Sequence, residues 1–125
     1  MEVVQNEREL QKALEGDLED IGVQGRLVAK IAPLVSANDA SWYVAMVAIT
    51  TAFIESTEAT GMDAAIPQRI MATEDAAGAV DILGAEATYT AISMAVAAGS
   101  VEVLEHLRAY RLEKYGENKA VLVKR

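Results

Sequence analysis

Positions 42–54 of this 125-residue chain read WYVAMVAITTAFI, with no charge among them. A helix of that sequence carries Trp42, Met46, Ile49 and Phe53 on one stripe, with Tyr43, Val47 and Ile54 beside it. Ala45, Ala48 and Ala52 cover most of what remains. Such a segment has no face to offer water, so it needs neighbours on every side. It is also too short for a membrane span, which takes about 20 residues. The expectation is therefore a buried central helix, opened by Ser36 or Asn38, closed by Gly61 and surrounded by other helices.

The surrounding sequence is nearly as bare. Residues 39–100 carry eight acids and a single base, Arg69. Residues 1–20 carry seven acids and two bases, residues 21–38 two bases alone, and residues 101–125 four acids and six bases, which gives the net charge of -8. The sparsely charged middle is expected to supply most of the core and a subunit contact. A pI of 4.6 argues against binding a nucleic-acid backbone, which uses clustered Lys and Arg. The chain has no cysteine, which leaves out a disulfide framework, a thiol nucleophile and a cysteine metal site. That is compatible with a reducing compartment, and a cytoplasmic protein is expected. The start at Met1-Glu2-Val3-Val4 lacks the basic residues and apolar run of a signal peptide.

Punctuation along the chain predicts an all-α bundle of about five helices in one domain, residues 1–125. Asn6 with Glu9 is a capping-box spacing and Gly16 a stop, so residues 7–15 form the first helix. Leu18, Ile21, Gly25, Val28 and Ala32 recur at helical spacing and predict a second, ended by Pro33. After the central helix, Asp63 or Ile66 with Pro67 starts another element. Thr73 with Glu74 and Asp75 starts the next. Residues 74–98 fit one long helix or two broken near Gly84. Gly99 is a stop, Ser100 a cap, and a final helix runs over residues 101–115. Met1 to Val4 and Ala120 to Val123 are β-branched runs that read first as frayed tails, or could pair as a two-stranded ribbon joining the termini.

Residues 90–107, TAISMAVAAGSVEVLEHL, resemble the helix-turn-helix half of an ankyrin repeat through Ala95, Gly99, Glu102, Val103 and Leu107. Ala91 and Ser93 depart from that pattern, and no copy stands 33 residues upstream. The resemblance implies only a tight helical hairpin at Gly99.

Groups able to do chemistry are few. His106, the only histidine, falls near Glu102 and Glu113 on a helical wheel, which is a weak metal set and more simply a solvated face. No metal or other cofactor is expected. No nucleophile elbow or phosphate loop occurs. Arg111 falls inside an apolar arc of the expected final helix, where it could snorkel or form an ion pair. Trp42, Tyr43 and Phe53 read as core anchors or as the wall of a ligand pocket.

These features point to a small acidic helical protein that acts by binding protein, as a homo-oligomer, and not by catalysis. The alternative is a small anionic-ligand binder or enzyme with its site between helices or subunits. In that case Arg69, Tyr43, Tyr89 and His106 are the polar candidates, with Arg69 holding the anion. An acidic mimic of nucleic acid ranks behind both. Neither a nucleic-acid nor a membrane partner is expected.

Overall fold

The structure is a computed structural model that describes residues 1–60 and 67–125, residues 59 and 60 by their backbone alone. The chain begins with β1 (Glu2–Val4), α1 (Glu7–Glu15), β2 (Asp20–Gln24), α2 (Leu27–Ser36) and α3 (Asp39–Thr60). It continues with α4 (Pro67–Met71), α5 (Glu74–Leu83), α6 (Ala85–Ala98), α7 (Glu102–Arg108), β3 (Tyr110–Gly116) and β4 (Lys119–Lys124).

The fold mixes helices and sheet, which overturns the all-α expectation. Four strands form one sheet in the order β1-β2-β4-β3. β1 runs parallel to β2, while β4 is antiparallel to both β2 and β3. Both termini enter this sheet, but β2 lies between β1 and β4, so they do not pair as a two-stranded ribbon.

Parts of two expected helices become strands for identifiable reasons, while the rest forms α2 and α7. In β2, Ile21 and Val23 are buried, while Gly22 lies on the opposite face beneath Val3. A Cβ on Gly22 would lie 3.0 Å from Val3 Cγ2, so the glycine admits the neighbouring strand's side chain. Gly25 turns the chain at φ +76, and α2 then continues three residues beyond Pro33. At the other end, the predicted helix over residues 101–115 stops at Arg108. Tyr110 is buried, Arg111 exposed and Leu112 half-buried, the alternation of a strand. Arg111 therefore lies on the open face of the sheet, not on the apolar face of a helix. It donates to Glu113, which also accepts from the Tyr115 hydroxyl. These two bonds hold the Glu113 carboxyl below the ordinary glutamate range, and Glu113 pushes the Tyr115 phenol up.

Local capping follows the sequence. Glu9 N–H donates to Asn6 Oδ1 at 2.9 Å, and Ser41 N–H to Asn38 Oδ1 at 2.8 Å. Thr73 caps α5. Gly84, at φ +88, separates α5 from α6, so residues 74–98 form two helices. Gly99, left-handed at φ +77, closes α6 and makes the tight turn into α7. Gly61, Asp63 and Ile66 lie outside the described residues.

The elements stack in layers. One face of the sheet packs on α1, α2 and α7. α6 runs through the middle, touching α1, α2, α4, α5 and α7, while α3 and α5 lie side by side beyond it. The core is continuous, from Val23 and Leu122 on the sheet through Ile31 and Leu104 to Met94 and Ile49. The central helix is thus α6. α3, expected to be enclosed, buries Trp42, Ala45, Ile49 and Ala52 but leaves Tyr43 71%, Val44 54%, Val47 50% and Ile54 47% exposed.

Candidate functional site: the groove between α3 and α7

Residues of α3 and α7 together line a groove beside the exposed side of α3. One half, about 360 Å³, is lined by Tyr43, Met46, Val47, Thr50, Thr51, Val101, Glu102 and Glu105. The other, about 330 Å³, is lined by Asp39, Trp42, Tyr43, Met46, Glu105, Arg108 and Arg125. Tyr43, Met46 and Glu105 line both, so the two cavities adjoin.

The floor is apolar because α3 has no polar face to turn toward it. Thr51 satisfies its hydroxyl by donating to Val47 O at 2.8 Å, which leaves its methyl as surface. The rim is acidic because α7 begins with Glu102 and Glu105, residues suited to a helix N-terminus. Neither forms a salt bridge among the described residues.

One end of the groove is built around Arg108. Its guanidinium donates to Leu34 O, Val35 O and Ala37 O at 3.3, 2.9 and 2.8 Å, and to Asp39 at 2.9 Å. It also lies 4.9 Å from the centre of the Trp42 ring. The three carbonyls sit at the C-terminal end of α2, which has no basic residue in its own last turn. Arg108 therefore caps α2 from outside. Its side chain is 9% exposed, whereas that of Asp39 stands fully in water, so the carbonyls do most to hold it. Arg125 adds a further bond to Val35 O and one to Tyr110 O. The two bases at this end equal its acids Asp39 and Glu105 in number, so the negative charge of the groove lies in the other half, lined by Glu102 and Glu105 and no base.

At the far end of the exposed stripe, beyond Ile54, acids crowd together. Glu55 shares a hydrogen bond with Asp75 of α5, and that bond, the charge of Asp75 and the nearby Glu58 push the Glu55 carboxyl up. α5 lies close against α3 here: a Cβ on Gly78 would be 3.5 Å from Ala48 Cβ.

The four candidate ligand residues are not brought to one place. Tyr43 lines the α3–α7 groove. His106, exposed on α7, lines a separate cleft of about 260 Å³ with Leu14, Glu15, Asp17, Ala109 and Tyr110. Arg69 stands exposed on α4 and Tyr89 half-buried on α6, and neither lines these clefts. In the His106 cleft, Asp17 is left-handed at φ 52 and paired with Lys124. That ammonium, with a smaller contribution from His106, holds the Asp17 carboxyl below its ordinary value, and Asp17 in turn pushes the Lys124 ammonium up. The Tyr110 hydroxyl points away to Leu18 O. Here the acidic N-terminal region and the basic C-terminal region meet within one chain.

Glu113 lies on β3, so the Glu102–His106–Glu113 set of a continuous helix does not form. Among the described residues no three histidine or acidic side chains converge as metal ligands. None of the described helices is long and apolar enough to cross a membrane. The sequence singled out Tyr43 and the apolar run but missed Arg108, Glu102 and Glu105 as parts of one site. For Arg108 a signal was present: α2 ends on Val35-Ser36-Ala37 with neither a glycine nor a cation to satisfy its carbonyls.

No protein-family model, curated protein or solved structure matches this chain.

Proposed function

We propose that this protein acts by binding another protein through the exposed side of α3 and its groove with α7. The supporting observation is the exposure of Tyr43, Val44, Val47 and Ile54 on the part of α3 that carries no charge, Trp42 to Ile54. A large apolar group in water costs free energy that burial returns, at about 25 cal/mol per Å². A stripe of such groups beside a groove is the usual form of a helix-binding surface. Enzymatic action has weaker support, because among the described residues Tyr43 and His106 line different clefts and neither Arg69 nor Tyr89 lines either one. The proposal is for an acidic binding module of the cytoplasm.

A photo-cross-linking residue placed at Val47, and separately at Arg8 on α1, tests this in the cells that make the protein. Adducts with protein at position 47 and none at position 8 are expected. Equal adducts at both positions, or none at 47, would overturn the proposal. An adduct of twice the chain mass would identify the partner as a second copy, the form in which self-association enters this reading.

A further inference from the structure

Building on the reading of α3 as a binding surface, we infer that the groove takes a basic amphipathic helix of a different protein, with its apolar side on Tyr43, Val47 and Ile54 and its cations against the two acidic rims. Three observations carry this inference: the length of the stripe, the sign of its borders and the engagement of the nearby bases.

Tyr43, Val47 and Ile54 fall at helical spacing along one side of α3 and span about 16 Å at 1.5 Å per residue. That length matches about three turns of a partner helix presenting residues at i, i+4 and i+11. Glu102 and Glu105 border the stripe on the α7 side, and Glu55, Glu58 and Asp75 close its far end. Opposite charge across a rim steers encounter and fixes register, and like charge there rejects the wrong partner. The hydrogen bond with Asp75, the charge of Asp75 and the nearby Glu58 displace the Glu55 carboxyl upward, as expected where acids crowd together.

The bases nearest the stripe stand at the other end of the groove and are fixed there, and none lines the half that holds Tyr43, Val47, Glu102 and Glu105. Arg108 is held by α2 and Asp39, and Arg125 by Val35 and Tyr110. The same borders count against a second copy docking by the same face. A two-fold contact would set Glu102 and Glu105 of both chains against acidic surroundings. An anionic phosphate surface is disfavoured for the same reason.

The test uses the full-length protein and two fluorescent 16-residue peptides, one built from leucine and lysine and one from leucine and glutamate. The two share the same apolar face, and binding is read by anisotropy. The basic peptide is expected to bind at least about tenfold more tightly than the acidic one. Val47→Glu should abolish that binding without changing helix content. Glu102→Gln with Glu105→Gln should weaken it about tenfold, while Glu2→Gln with Glu19→Gln, which removes the same net charge elsewhere, should change it less than about twofold. Equal weakening by the two pairs would mean general attraction to an acidic protein and would overturn the inference. Equal binding of both peptides, lost in Val47→Glu, would overturn the choice of a basic partner while leaving the α3 surface intact. Binding of neither peptide would also overturn it, and the cross-link at position 47 then decides separately whether the face binds protein at all.

Discussion

α6 and α3 are both helices rich in alanine and large apolar residues, yet the fold treats them differently. α6 is enclosed by α1, α2, α4, α5 and α7, and buries Ala87, Thr88, Thr90, Ala91, Ile92, Met94 and Ala95. It exposes Ala85, Glu86 and Ala97 and leaves Tyr89, Ser93, Val96 and Ala98 half-buried, so no large apolar side chain of α6 stands exposed. α3 leaves Tyr43, Val44, Val47 and Ile54 open instead. The sequence of α6 is matched to its surroundings within the chain. That of α3 is matched on one side only. The apolar surface that α3 leaves exposed, at Tyr43, Val44, Val47 and Ile54, has no counterpart on α6.

The sharpest way to break this comparison is to cut the two helices equally. Met94→Ala in α6 removes a fully buried side chain and should cost about 3 kcal/mol, whereas Val47→Ala in α3 should cost less than about 0.5 kcal/mol. Chemical denaturation of the two variants checks this, and similar losses would contradict the contrast. Next in size is the tie that holds the start of α3 against α2. Arg108→Ala leaves the α2 carbonyls without their donor and should cost about 2 kcal/mol. Arg108→Lys should recover only part of that in the same measurement, since one ammonium cannot reach three carbonyls and Asp39 together. Smaller, and opposite in sign, is Gly78→Ala at the α3–α5 contact. The added methyl would meet Ala48 at ordinary van der Waals distance within a helix, so a gain of about 0.7 kcal/mol is expected by thermal unfolding.

The same contrast explains which parts of the fold could be read from sequence. Local signals worked where local physics decides. Asn6, Asn38 and Thr73 cap the helices they precede, and Gly99 divides α6 from α7 as its position implied, while the choice between one helix and two over residues 74–98 falls to two, divided at Gly84. The strands were missed because their cause is non-local. Leu18, Ile21, Gly25 and Val28 happen to fall at helical spacing, and only β1 and β4 on either side of Asp20–Gln24 make it the second strand of a sheet. Tyr110 and Arg111 likewise continue the spacing of α7. Pairing with β4, where Leu112 faces Leu122, draws them into β3 instead. The position of α3 was misjudged for a related reason. Apolar residues on all sides require cover, but they do not say that the cover comes from the same chain.

For the site, Tyr43 was legible as a large aromatic group in an uncharged run. Glu102 and Glu105 looked like any solvated helix face until α7 was placed beside α3. Arg108 became meaningful only when the end of α2 arrived within reach of it. Each of these depends on two elements distant in sequence, and no spacing within one element encodes them.

The central claim is that the outer side of α3 contributes to binding and not to the stability of the isolated chain. The double variant Tyr43→Glu/Val47→Glu, followed by thermal unfolding of the purified protein, tests it most directly. A midpoint within about 2 °C of the parent is expected, because both side chains already stand in water. A fall of more than about 6 °C would show that these residues hold the monomer together, and would contradict the account.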